Sequence, residues 1–599
     1  SLGRGAGGEL KYALSLPAQQ ALTVWFTVAG SDSGTADAQA EARKALANPE
    51  ELFSKKAVSR REAAVRTVVD LPGDPALERS VEWSKQNLAD STQEAHALQL
   101  RTTAGGTSAG PTVASLGTAR WLAGSFPDRP GVLAGDADFA LFSAVAAGQF
   151  DVAKAHLRTE KAVSDAVNGH SGRVIHELAS DGSVLSGAAG DPGEIGDTAR
   201  FPSNVALIWR WTGDDKFRDD LYDFSVRAMH FVVDKSDADG DGWPEGRGLV
   251  SAAGMGTERL DNAVYTVRGL LDLADLALSK SDSGTADWAS NRAGQLEAAF
   301  DDTWWSDAAK QYADSLDTRD QPVFQRHWTG LTPLEATLVR SARTDRPLAD
   351  VDRGATVLGV REKDCYGGGA GGVFTTGTGA TSAPGGNPGS SCDSATSSAP
   401  SDRGADAVPT SAMAVAEGNY GRLGTQQRRY TDALAKAQTD SSQWEMPGAM
   451  PGTLPTGSPL GPFFARPELL AASGTYGVLW PVVHQQLGIT PDMARDSLRI
   501  VPQIPDGQPS VAGQNIRVGA GSVDVTATHD GTLRTTTVSR AVKSALTFGA
   551  VLPQGAGLVS VRLDGRTVSY RADHTVRGIE VVVDLPVGTG KNTLQIRTS

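Results

Sequence analysis

Two short segments pair a carboxylate with an indole. Glu245 follows Trp243 and Pro244 in DGDGWPEGRG, and Glu445 follows Trp444 in SSQWEMPGAMPG. A carboxyl group beside an indole is poorly solvated, which disfavours its charged form and suits it to proton donation near neutral pH. Breaking a glycosidic bond with inversion requires two carboxylates: one protonates the leaving oxygen, the other activates a water on the opposite face of the sugar. The sequence therefore offers Glu245 as general acid and Glu445 as general base, with Trp243 and Trp444 as stacking walls. Glu258 and Asp261, at the start of the following helix, are rivals for the acid, although helix capping also accounts for carboxylates there.

Three further segments carry candidate contacts to sugar hydroxyls. WLAGSFPDRPGVLAGDADFALFSAV holds Trp121, Asp136 and Asp138, SGRVIHELASDGS holds His176 and Glu177, and GDTARFPSNVALIW holds Asp197. An aromatic ring beside carboxylates suits a sugar, whose apolar faces stack while its hydroxyls hydrogen-bond. First-turn and capping roles fit Asp136 and Asp138 equally, and a core position fits His176. A zinc protease motif needs a second histidine four residues after His176, and Ser180 stands there. Asp237, Asp239 and Asp241 resemble the opening of a calcium loop, but the twelfth position is Gly248 and not Glu, so an EF-hand is excluded. No cofactor or catalytic metal is expected. A looser calcium site at those three aspartates is the one cation reading.

The elements that must position these residues are mainly helical. VVDLPGDPALE marks a boundary, with Pro72 and Gly73 ending a strand and Asp74 capping a helix that starts at Pro75. Apolar spacing of three and four then recurs near 75–100, 136–149, 151–167, 198–212, 215–234, 258–279, 284–302, 331–343, 347–359, 405–417, 422–437 and 470–487. Twelve helices are the number needed for six hairpins, the (α/α)6 barrel. Before them, KYALSLP and ALTVWFTVAG alternate like strands, followed by a charged, helix-like patch around 51–66. After LGITPD, strand-like alternation with Gly, Pro and Asp turns takes over. The fold class expected is mainly α with β modules: an N-terminal β-rich module over 1–74, a catalytic barrel over 75–496 and a C-terminal β-sandwich over 497–599.

Composition excludes more than it identifies. The chain has 599 residues, 40% hydrophobic and 21% charged, which suits several folded domains. A net charge of -14 disfavours nucleic acid or an anionic membrane as main partner. No stretch approaches the roughly 20 apolar residues that span a bilayer. An oligo- or polysaccharide is the expected partner, and the oligomeric state is left open. The chain starts at Ser1 without a signal peptide, so a processed or truncated form is expected. Cys365 and Cys392 are the only cysteines, and 26 residues rich in Gly, Ser and Thr separate them. A disulfide closing that loop would contribute about 3–4 kcal/mol and imply an oxidising compartment, hence secretion or the cell surface. Two unpaired thiols are the competing reading.

GWPEGRG before a helix resembles the acid-bearing segment of glucoamylase-like (α/α)6 glycosidases. The passage from Met450 through RPELLAASGTYGVLWPVVHQQLGITPD to LRIVPQIP resembles the closing segment of glucoamylases and bacterial glycogen-debranching amylo-1,6-glucosidases, and PGVLAGDADFALFS resembles their substrate-clamping Asp segment. The resemblance covers about residues 75–505. It implies an inverting hydrolase acting from the ends of an α-glucan-like or other extracellular glycan. One departure stands out: where those families place a Pro-Glu pair carrying the base, this chain has Pro451-Gly452. Glu445 is the substitute. Three alternatives stay open: a glycan phosphorylase, in which phosphate replaces the activated water, a polysaccharide lyase, and a non-catalytic glycan-binding protein.

Overall fold

The computed structural model describes residues 11, 13–31, 34–103, 109–126, 129–188, 191–339, 346–363, 366–367, 371–375, 404–440, 444–450 and 469–599. Cys365, Cys392 and the Pro451-Gly452 pair lie outside the described residues. The chain divides into two units, Ser1–Glu62 and Ala63–Ser599.

The first unit corrects the expected β-rich module. Among its described residues there is no strand; it forms helices α1 (Thr35–Ala47) and α2 (Pro49–Ala64). Helix α2 begins with proline, carries Glu50 and Glu51 in its first turn and Arg61 in its last, and gains the Glu51–Lys55 pair at 2.6 Å. The upstream segments alternate as strands do, but among the described residues no ladder partner pairs with them, and Leu14, Leu16, Phe26 and Val28 are exposed. Alternation without a partner and a face to bury does not make a sheet.

In the second unit, Asp74 accepts the Leu77 N–H at 3.1 Å and opens α3 (Pro75–Asp90). The expected helix to residue 100 stops there. Instead β1 (Val68–Asp70) is followed after α3 by a long hairpin, β2 (Thr92–Thr103) and β3 (Ala109–Leu122). With β4 (Val132–Leu133), β5 (Glu177–Leu178) and β6 (Ser183–Ser186) the hairpin makes a five-stranded sheet in the order β3-β2-β6-β5-β4.

The remaining helices fall within a few residues of their sequence-based positions: α4 (Ala134–Ala146), α5 (Phe150–Asn168), α6 (Ile195–Thr212), α7 (Asp215–Lys235), α8 (Leu260–Ser279), α9 (Ser283–Trp304), α11 (Val351–Arg361), α12 (Ala407–Asn419) and α13 (Thr425–Thr439), whereas the helix expected over 331–343 is only α10 (Thr332–Glu335). The last, expected over 470–487, is a 3-10 turn, a short α14 (Tyr476–Trp480) and a π-helical turn (Pro481–Gln486). Helix α10 is a single turn, because Ala336 leaves the helix and Thr337–Leu338 pairs as a strand.

Burial sorts these helices into two sets. Helices α4, α6, α8 and α12 are buried almost all round, whereas α5, α7, α9 and α13 bury one face. Helix α4 packs on α6, α6 on α8, α8 on α10, α10 on α12, α12 on α14, and α14 back on α4, so the inner set closes into a ring. Helices α3, α5, α7, α9 and α13 pack outside it.

The nine strands after residue 488 join with β1 in one continuous hydrogen-bonded network of ten strands, not two separate ladders. Its backbone is the pairing of two long strands, Leu533–Leu552 and Gly578–Thr598. The network also recruits β1, which pairs with Ser510–Val518, and Ile489–Asp492, both from outside the expected 497–599 boundary. Among the described residues no helix is long and apolar enough to cross a membrane.

Candidate active site

A cleft of about 250 Å³ opens at the N-terminal ends of the ring helices. Each of five of them contributes from its first turn or the loop before it: Leu133 and Asp136 at α4, Glu194 at α6, Leu249 ahead of α8, Asp406 and Pro409 at α12, and Ala471 and Ser473 ahead of α14. Trp328, ahead of α10, completes the wall beside Phe139. The cleft continues outward. His176 and Glu194 also line a second space with Glu177, Asp191 and Arg247, and Asp191 and Arg247 line a third with Glu245. The result is a groove whose closed end is the ring centre.

The small sheet places the histidine. Leu133 of β4 pairs with Glu177 of β5, and Ala134 N–H donates to the His176 carbonyl at 2.9 Å, which sets His176 over the first turn of α4. Gly193, at φ +67°, lets the next loop close on it: a Cβ there would lie 2.8 Å from the His176 Cβ. The His176 ring pairs through Nδ1 with Asp197 at 2.8 Å, and its Nε2 lies 3.9 Å from Glu194 Oε1. Burial opposes its charge, but the Asp197 carboxylate, through its charge and its hydrogen bond, leads the neighbouring acids in outweighing that and raising its pKa to about 9. His176 is therefore an imidazolium at neutral pH.

Glu194 behaves in the opposite way. Burial, reinforced by Asp197, pushes its carboxyl up to about 8, against His176 and Arg200. It occupies the N-cap position of α6 but makes no side-chain cap bond, and its backbone bridges to Arg247. Its acid group is thus left to the groove and is protonated at neutral pH. Behind it lies a buried chain of charges. Asp197 Oδ1 accepts from Arg200 at 2.9 Å, and Arg200 Nε reaches Asp138 at 2.8 Å, while Asn204 donates to Asp138. The guanidinium sits 4.9 Å over the Tyr265 ring. His176, Glu194 and Asp197 are close enough together to hold a metal. However, both Asp197 oxygens are already taken, by His176 and Arg200, which suits a hydrogen-bonded relay better.

The sequence-based candidates separate accordingly. Asp136, His176, Glu177 and Glu245 line the groove. Asp138 and Asp197 are buried behind it. Glu245 accepts the Ala238 N–H at 2.7 Å on the outer rim. Trp121 is not a stacking wall: it is 2% exposed on β3, in an apolar cluster with Val132 and Ile175, and its indole donates to the Pro130 carbonyl at 3.0 Å. Trp243 is not one either, being buried edge-on against Trp304 at 5.8 Å and Phe300 at 6.2 Å. Trp444 packs on Trp83 of α3 at 5.4 Å, away from the groove lining. Asp261 is a clamp. Its carboxylate takes the Leu249 N–H at 2.6 Å, and beside it Asn262 holds the Gly246 and Arg247 carbonyls. Glu258 is 1% exposed and does not line the groove; burial and the carboxylates of Asp241, Asp239, Asp320 and Glu245 push it up to about 8.

Glu445 is half-buried and does not itself line the cleft. Asn87 of α3 holds its segment, donating to the Trp444 carbonyl at 3.3 Å and accepting the Met446 N–H at 2.9 Å. Farther on, Gly448 lines the cleft and its carbonyl accepts from Ala407. Trp444 itself sits at φ +58°, the left-handed region that bulky residues avoid.

A larger cavity of about 510 Å³ lies near the C-terminal ends of α12 and α14, where Asn419, Gln485 and Arg577 line it. Its acid, Glu580, is tied up in an ion pair with Arg499.

No protein-family model matches the chain, and no curated protein matches it in sequence. Solved structures resemble it in fold. The α-L-rhamnosidase from Dictyoglumus thermophilum aligns over 78% of this chain with a TM-score of 0.50 and 13% identity, covering 46% of that protein. The GH78 family rhamnosidase of Bacillus sp. GL1 aligns over 78% with a TM-score of 0.50 and 13% identity, covering 40% of its length. This chain therefore spans less than half the length of either, and the likeness is one of fold.

Proposed function

We propose that the chain is a glycoside hydrolase, built on an (α/α)6 barrel, that cleaves the terminal sugar of an exported oligo- or polysaccharide with inversion. The observation that carries this is Glu194: a carboxyl group kept protonated at neutral pH, at the closed end of a groove, facing an imidazolium. The closed ring of inner helices supports the barrel reading.

In this reading the terminal sugar lies in the cleft against Phe139 and Trp328, with Asp136 taking a hydroxyl. The rest of the glycan leaves along the groove past Arg247 and Glu245. Glu194 gives its proton to the leaving oxygen as the bond to the anomeric carbon breaks. The carboxylate left behind forms 3.9 Å from His176, which stabilises it. A water, deprotonated by Glu445, attacks the opposite face. Glu194 thus takes the acid role for which the sequence offered Glu245, and Glu445 keeps the base role. The strained Trp444 backbone beside Glu445 supports that choice.

The motif resemblance suggests α-glucosides and the structural likeness suggests α-L-rhamnosides, so both belong in a first screen of aryl glycosides and oligosaccharides, with the product anomer followed by NMR. A glycan that binds but is never turned over would overturn the enzyme reading. Glu194→Gln is expected to lose about 10²–10⁴-fold in kcat on unactivated glycosides, and much less on aryl glycosides whose leaving group needs no proton. Equal activity on both would remove Glu194 from the acid role.

A phosphorylase is the second reading, favoured by one observation: Arg129, His176, Ser125 and Ser473 line the same cleft and would suit phosphate. Turnover that requires inorganic phosphate and releases a sugar phosphate would select it.

A further inference from the structure

The loop between α7 and α8 carries an acidic cluster that the proposed chemistry does not use. Oxygens of Asp237, Asp239 and Asp241 lie within 4.8 Å of one another, as do those of Asp239, Glu258 and Asp320. Three chain segments meet here. The first is the loop 237–241. The second is the short strand Glu258–Arg259, which pairs with Ser315–Leu316, and the third is the turn that follows that strand and carries Asp320. Asp237 has its own partners, Arg292 at 3.1 Å and the Gly240 N–H at 2.8 Å. Among the described residues no basic group pairs with Asp239, Asp241, Glu258 or Asp320.

Glu258 is the independent sign of a ligand. It is 1% exposed, its carboxylate is aimed into the cluster, and neither of its oxygens has a hydrogen-bond partner. A buried carboxylate with no donor, facing those of Asp239 and Asp320, is costly unless something positive joins them. The loop alone was a poor calcium site because Gly248 stands where an EF-hand supplies its last glutamate. The fold supplies that ligand from elsewhere, through Glu258 on the strand and Asp320 on the turn.

We propose that Asp237, Asp239, Asp241, Glu258 and Asp320 bind a calcium ion that fastens the α7–α8 loop to the neighbouring hairpin. All-oxygen donors from separate, adaptable segments suit Ca²⁺. Zinc and copper favour the nitrogen and sulfur ligands that are missing here, and Mg²⁺ demands a tighter octahedron. The bound loop carries Glu245 and Arg247, so the ion would also fix the outer wall of the groove.

The test uses the whole chain stripped with EGTA. Calorimetric titration with Ca²⁺, and terbium luminescence excited through tryptophan, should both show saturable binding. Trp243 is well placed as the donor, because its backbone N–H lies 2.7 Å from Asp241. Ca²⁺ should raise the melting temperature and displace terbium, with Mg²⁺ far less effective. Glu258→Gln and Asp239→Asn should each weaken binding about tenfold or more. Both variants relieve repulsion between like charges, so both should melt at or above the wild-type temperature in EGTA, which separates lost binding from lost folding. No binding by Ca²⁺ or terbium up to millimolar concentration would overturn the proposal, and so would unchanged affinity in both variants.

Discussion

His176→Asn isolates the coupling on which the proposed acid depends. At neutral pH His176 carries a positive charge 3.9 Å from a Glu194 carboxyl that titrates at about 8. Two unit charges at that separation interact by about 4 kcal/mol at an effective dielectric of about 20. Loss of the charge would therefore raise the Glu194 pKa by at most about three units, at 1.36 kcal/mol each. The two side chains are 17% and 18% exposed, so water entering the space screens part of this. The expected rise is about one to two units. Asparagine can still donate to Asp197, so the buried chain through Arg200 to Asp138 is retained. The assay is kcat/KM from about pH 5 to 10 on an unactivated glycoside found by the screen, whose leaving group needs the proton. The wild-type alkaline limb should fall near 8, move upward in His176→Asn, and disappear in Glu194→Gln. The maximum rate should also drop in His176→Asn, because the carboxylate formed on proton donation loses its counter-charge. A limb that stays in place, or moves to lower pH, would refute the coupling. One that survives in Glu194→Gln would refute the acid.

Glu445→Ala should abolish turnover of natural and aryl glycosides alike, by about 10²-fold or more, because water activation is needed whatever the leaving group; steady-state kinetics on both classes checks this. Gly248→Ala would place a Cβ 2.5 Å from both Asp261 oxygens and force the clamped loop outward. It should cost about 1–3 kcal/mol and raise KM more than it lowers kcat, as read by thermal melting and kinetics. His156 and His484 are buried in surroundings that hold each neutral, with pKa values lowered by burial to about 4. A histidine depressed in the folded state binds protons more readily when unfolded, so its stabilising contribution is full above about 6.5 and shrinks as pH falls towards 4. Stability should decline over that window by up to about 3 kcal/mol per histidine, read as a falling melting temperature, and His156→Gln should flatten the decline.

The helices were legible because their sequences carry the two signals that physics ties to position. Helices apolar all round, such as α4 and α12, had to be inside, and one-faced helices such as α5 and α7 outside. Aspartates at their starts marked the boundaries: Asp74, Asp214, Asp282, Asp350 and Asp406 each accept a first-turn N–H. The β2–β3 hairpin was not legible. TQEAHALQLRTT is rich in residues that favour helices, and its strand state is decided by pairing with β3 and β6, which lie far along the chain or beyond a turn.

The site was half legible, and the missing half shows what adjacency in sequence cannot convey. Acid–indole pairs drew attention to Glu245 and Glu445, but neighbouring side chains on an irregular backbone need not share an environment. Trp243 turns into the core against Trp304, and Trp444 packs on α3. The groove carboxyl that burial pushes up to about 8, Glu194, has glycine and isoleucine beside it and no aromatic residue. Its environment is made by Asp197 one helical turn on and by His176 from the sheet. One local signal was available. Glutamate is a poor N-cap, and Glu194 stands where Ser, Thr, Asp or Asn would stabilise α6 better. A residue that forgoes a cap at the start of a buried helix has been placed for something other than stability. The same reasoning applies to Glu258, which is sealed among like charges with no donor. In both cases the functional residue is the one whose local energetics are unfavourable, and only the fold reveals what offsets them.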